Sequence, residues 1–147
     1  MTAPVEHVPD GRRMIAAGLV EVTPSGPRIV VGRRPDGSLV FPMPHEDAAE
    51  CERALLGPTG TLWSWTVQRF RPKSPPYVAA EGAFAPFFVG YVEFPEGIII
   101  EGRILARVGR DDLCVGMPME VTVIAVCADA SGAPLHLFAF RPVAAGP

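Results

Sequence analysis

Proline and glycine interrupt this chain so often that long helices are excluded. It carries 17 prolines and 15 glycines in 147 residues. A proline inside a helix removes a backbone donor and collides with the preceding turn. Such punctuation permits a series of short strands divided by turns. Apolar residues make up 48% and charged residues 20%, enough for a sizeable core in a single domain of this length. The first expectation is therefore one mostly β domain.

Residues 1–9 read as a tail. Residues 10–18 predict a short helix, with Asp10 as N-cap and Gly18 near its stop. After a turn at 24–27, the β-branched run 28–33 reads as a strand. Pro35, Asp36 and Gly37 make a tight turn, and residues 38–41 return to close a small hairpin. Residues 46–56 predict one or two helical turns. From Gly60 the pattern sharpens. Residues 61–70 predict a strand with Trp63, Trp65 and Val67 on one face and Ser64, Thr66 and Gln68 on the other. Residues 71–86 form a Pro-rich loop. Residues 87–94, 98–105, 119–127 and 135–140 give four more strands, and 111–113 predicts a single helical turn. Five short strands fit the Greek-key OB barrel. A small sandwich has a similar strand count.

The net charge is −3, without the basic surplus of a nucleic-acid binder. No apolar run reaches the ~20 residues of a membrane helix. The opening residues lack the basic and apolar blocks of a signal peptide, so a cytoplasmic protein is expected. Cys51, Cys114 and Cys127 are odd in number and contain no Cys-x-x-Cys pair, which argues against a disulfide framework. Cys114 and Cys127 are expected to be buried and inert.

Catalytic motifs are lacking: the sequence has no nucleophile elbow, Walker loop, dinucleotide fingerprint or His-Glu-x-x-His. Ser64 and Ser74 have no evident base. His7 lies in the tail, and His136 falls on the same face as Phe138 and Phe140, as a structural histidine would. His45, Asp47, Glu50 and Cys51 are the one mixed cluster of potential ligands. Their spacing matches no zinc pattern, and a polar loop and helix face accounts for them.

Several segments, in order, resemble a known family. They are residues 60–73 (Gly-Thr-Leu-Trp-Ser-Trp-Thr-Val-Gln-Arg-Phe-Arg-Pro-Lys), Pro75-Pro76-Tyr77, Val89-Gly90-Tyr91-Val92-Glu93, residues 111–121, and Phe140-Arg141-Pro142. The chain is similar across residues 15–143 to the zinc-ribbon/OB-fold family of acyl-CoA-associated proteins, domain of unknown function thirty-five. The resemblance implies an N-terminal helix, a rubredoxin-like zinc-ribbon hairpin and a C-terminal five-stranded OB barrel. The corresponding divisions are 1–27, 28–58 and 59–143, with a tail at 144–147. It also implies a thiolase-like or hydratase-like partner enzyme acting on acyl-CoA.

The ribbon departs from the family pattern. Anchored on Gly37 and Phe41-Pro42, the four ligand positions hold Arg33, Asp36, Asp47 and Glu50 rather than cysteines. Structural zinc takes thiolate or imidazole ligands, so the ribbon is expected to be degenerate and zinc absent. Within the resemblance, Arg69, Arg71 and Lys73 form a basic cluster suited to the phosphates of coenzyme A, with Trp63 as an aromatic neighbour. A solvated strand end is the alternative for these residues. Phe84, Phe87 and Phe88, with Tyr77, are candidates for a partner interface, or for a loop that caps the barrel. The expected function is a non-catalytic accessory subunit of a thiolase-superfamily enzyme acting on acyl-CoA thioesters. A stand-alone acyl-CoA or small-ligand module and a single-stranded nucleic-acid binder are the alternatives. No tightly bound cofactor, nucleic acid or membrane is expected.

Overall fold

The computed structural model describes residues 11–44, 50–73 and 84–144. Nine strands run through it: β1 (Val20–Thr23), β2 (Gly26–Arg33), β3 (Leu39–Val40), β4 (Glu52–Leu55), β5 (Thr59–Gln68), β6 (Phe87–Phe94), β7 (Ile98–Ile104), β8 (Pro118–Ala128) and β9 (Pro134–Pro142). The last five close into a barrel in the order β5-β6-β7-β9-β8. All its pairs are antiparallel except β7 with β9. This is the five-stranded Greek-key closure of an OB-fold.

The barrel forms because its strands alternate. In β6, Phe88, Gly90, Val92 and Phe94 are buried, whereas Tyr91 and Glu93 are exposed. Successive side chains of a strand point to opposite faces, so one set fills the interior. β6 and β7 are joined by a tight turn in which the Gly97 amide donates to the Phe94 carbonyl (2.9 Å). Gly97 has φ +97°, which a residue without Cβ adopts at little cost. Phe94, Phe140, Leu62, Ile100, Ile104 and Met119 are all but sealed from solvent. Each such side chain contributes about 1.5–3 kcal/mol on burial.

The N-terminal part is a second, antiparallel sheet. β2 pairs with β1, β3 and β4. It does not stand apart: Met14, Val20, Ile29, Val31 and Leu56 belong to the same apolar cluster as the barrel interior. Residues of the two sheets therefore share one continuous core.

No helix occurs among the described residues. Asp10 lies outside them, but residues 11–18, expected to be helical, run along the barrel instead. Met14 makes a parallel bridge to His136. The Ile15 amide donates to the His136 carbonyl, and the His136 amide donates to the Arg13 carbonyl, each at 2.8 Å. Burying Met14 against β9 outweighs what one N-cap contributes to a short helix. The expected helical turns at 46–56 are also corrected. Residues 45–49 lie outside the description, and Glu52–Leu55 is strand β4, held against β2. Residues 111–113 form no helical turn.

Candidate functional site

The site begins with an irregularity in β5. Leu62 pairs with Val92, but the next partner of Tyr91 is Ser64, so Trp63 is the extra residue of a bulge. A bulge inserts one residue and reverses the alternation beyond it. Before it, Gly60 and Leu62 face inward; after it, Trp65 and Val67 pack against the core. The expectation that Trp63, Trp65 and Val67 share a face is therefore overturned. Trp63 stands outside, 54% exposed.

Outside, Trp63 joins two other large apolar groups. Its ring meets that of Tyr91 edge-on, with centroids 6.3 Å apart. Tyr91 is 42% exposed and Ile99 40%. Tyr91 lies opposite Glu101, and Glu93 opposite Ile99, so carboxylates alternate with the apolar groups. Beside Tyr91 and Glu101 is a shallow depression of about 260 Å³, bounded by Ser64, Thr66, Gln68 and Val89.

At one end of the barrel a second concavity opens, about 360 Å³ in volume. Trp65, Val67, Phe88, Val108 and Leu113 supply its apolar lining, and Arg69, Arg110, Gly109 and Asp111 also line it. Trp65 lies opposite Gly90. A Cβ at Gly90 would run into the end of the Ile104 side chain and sit 2.8 Å from the Ser64 carbonyl oxygen. A glycine there lets β5 approach closely.

The residues anticipated from the sequence separate. Arg69 rims this cleft, whereas Trp63 stands on the outer face. Lys73 is exposed and Arg71 half-buried. Tyr77 lies outside the described residues. Phe87 and Phe88 are 6% and 5% exposed, which removes them as an open interface. Phe88 belongs to the interior. Phe87 is covered by Phe84 (centroids 5.8 Å apart) and by the Arg103 guanidinium, 4.5 Å from its ring centroid. A cation over an aromatic face is attractive, and it seals a ring that the sequence left looking exposed. Tyr91, Ile99 and Arg110 were missed. Their position outside a short apolar strand, and the Val108–Asp111 turn, were the available signals.

Of the four expected ligand positions, the three that are described hold no cysteine or histidine. Arg33 is exposed at the end of β2, and an arginine repels the ion. Asp36 is engaged in its own turn, accepting from the Ser38 amide at 2.9 Å and its hydroxyl at 2.6 Å. Those bonds hold its carboxyl below the usual range. Glu50 is exposed, and Asp47 and His45 lie outside the described residues. His136 is structural, its Nδ1 3.2 Å from the Arg13 carbonyl oxygen. Cys114, expected to be buried, is exposed in the turn before β8, while Cys127 is partly buried and burial pushes its thiol pKa up.

The closed barrel, its strand order and the sites on it define an OB-fold protein. Residues 53–123 match the family model for the C-terminal OB-fold domain of ChsH2. A solved chain described as "Ltp2-ChsH2(DUF35) aldolase" is 27% identical, with a TM-score of 0.54 over 78% of this chain and 84% of that one. No curated protein matches. The barrel is thus similar to the OB-fold domain of ChsH2, and the chain as a whole is similar to that DUF35 chain.

Proposed function

We propose that the chain is a non-catalytic partner subunit of a thiolase-like enzyme that makes or breaks a carbon–carbon bond in an acyl-CoA thioester. The observation that carries this reading is the likeness to the DUF35 chain of the Ltp2-ChsH2 aldolase. The sequence, which lacks a recognisable nucleophile–base motif, supports it. The partner supplies the catalytic groups; this chain supplies a packing surface.

The outer face around Trp63, Tyr91 and Ile99 replaces the phenylalanine loop as the proposed docking surface. Tryptophan and tyrosine dominate interface energetics because they bury large areas at low conformational cost. The carboxylates of Glu93 and Glu101 alternate with them, so the matching surface carries arginine or lysine among apolar groups. Arg69, Arg71 and Lys73 remain the proposed contacts for the coenzyme A phosphates.

Co-expression with the thiolase-like enzyme of the same genome tests this. The two should co-purify, and acyl-CoA cleavage should require both. Trp63→Asp should release the partner while the circular dichroism spectrum stays unchanged. Enzyme-like turnover by this chain alone, on the order of 1 per second, would end the accessory reading. Retention of the partner by the Asp variant would move the interface elsewhere.

A further inference from the structure

The barrel closes at one seam by a single bridge. β7 meets β9 only at Ile104, which lies opposite Phe140, and the Leu105 amide donates to the Phe140 carbonyl at 2.8 Å. Backbone amides alternate sides along a strand. Those of Ile99, Glu101 and Arg103 therefore point the same way as that of Leu105, away from β6. Among the described residues no strand or turn takes them. Sheets commonly blunt such an open edge with lysine, proline or a bulge. The stretch Ile98-Ile99-Ile100-Glu101-Gly102-Arg103 has none of these, and its pairing with β6 runs without a shift. It is also packed from within: a Cβ at Gly102 would lie 2.7 Å from the Phe140 ring. The backbone is positioned before any partner arrives, which lowers the cost of pairing.

We infer that the open edge of β7 takes up an extended segment of a partner protein as an added antiparallel strand, with an acidic, a basic and an apolar residue at alternate positions facing Arg103, Glu101 and Ile99. Main-chain hydrogen bonds at Ile99 and Glu101 supply the affinity, and the alternate side chains supply the selectivity. The charge pattern of β7 sets that sequence. Ile99 and Glu101 are exposed, and neither Glu101 nor Arg103 has an ion-pair partner among the described residues. The Arg103 guanidinium lies over Phe87, and its Nε has no hydrogen-bond partner. The edge is continuous with the exposed aromatic face, because Glu101 lies opposite Tyr91. A second copy of the chain is a poor occupant. Pairing the middle of this stretch with itself sets Glu101 opposite its own copy or diagonally across from it, where like charges repel. The inference stands on the edge itself and holds whichever protein supplies the strand.

The experiment uses the full chain and the end-capped peptide Thr-Glu-Thr-Lys-Thr-Val-Thr, with calorimetry and amide hydrogen exchange by NMR as readouts. In the free chain the Ile99 and Glu101 amides should exchange fast, and saturating peptide should slow both by about tenfold or more. A peptide with its Glu and Lys exchanged should bind about tenfold more weakly, since both cross-strand charge pairs then repel. Glu101→Lys should weaken the first peptide, and replacing that peptide's Lys with Glu should restore its affinity. Ile99→Pro removes one outward amide while leaving the bonds to β6, and should abolish binding. If that variant unfolds, the charge exchange at Glu101 decides alone. No saturable binding, binding without protection of Ile99 and Glu101, or equal affinity for the exchanged peptide would overturn the inference. So would protection of these amides in the free monomer, where the chain itself fills the edge, or protection that rises with chain concentration, where a second copy does. Failure of a thiolase-like enzyme to co-purify would leave all these readings unaffected.

Discussion

Trp63 and Trp65 are two positions apart on one strand, yet they lie on opposite faces of the barrel wall. The extra residue at the β5 bulge puts Trp63 outside against Tyr91 and returns Trp65 to the interior side. The two rings accordingly have different work: one is available to a partner, and the other forms a cleft floor.

Their stabilities should differ in the same sense. Trp65→Ala removes a ring packed on the core and should cost about 3 kcal/mol, near the lower end for such truncations. Trp63→Ala should cost under about 1 kcal/mol, as a surface change does. Urea unfolding of both variants measures the difference. Equal losses would mean that the bulge does not separate the two faces.

Phe87→Ala should destabilise the chain by about 3–5 kcal/mol, as removal of a buried phenylalanine does. It deletes both the edge contact with Phe84 and the platform under Arg103. A Phe87→Ala chain as stable as the wild type, but unable to hold a partner, would restore the phenylalanine loop as the interface.

Asp129 gives stability a pH dependence with a defined sign. Its carboxyl is held well below its ordinary value, first by the Ser131 hydroxyl and then by the Arg13 guanidinium. A depressed carboxylate contributes stability above its unfolded pKa and loses it as pH falls toward the folded one. Asp129→Asn should therefore lower Tm at neutral pH. The gap from wild type should narrow as pH falls below the ordinary value of 3.8. Thermal melts across that range test this. A constant gap would place the effect in packing rather than charge.

Zinc content is the fourth expected outcome. With Arg33, Asp36 and Glu50 at three of the ligand positions, the purified chain should carry far less than one zinc per molecule. Its unfolding midpoint should not move in chelator, because a fold that depends on structural metal loses its stability with the ion. Elemental analysis that finds one chelator-resistant zinc per chain would refute this.

Sequence alone determined the barrel strands and the missing catalytic motifs. Period-two alternation from Phe87 to Phe94 is local, set by the pleat of a single strand, so it can be read without knowing a partner. The turn at Pro95–Gly97 is local too. Tertiary structure alone decided which side Trp63 takes, because a bulge exists only between paired strands and here depends on where Tyr91 lies. It also decided that Met14 would join β9 instead of a helix, and that Arg103 would cover Phe87. The cleft likewise needed the closed barrel, which brings Trp65 and Arg69 of β5 and its exit against Arg110 and Leu113, some forty residues later in the chain. Each of these depends on residues far apart in sequence, whose contact is favourable only after chain closure has been completed.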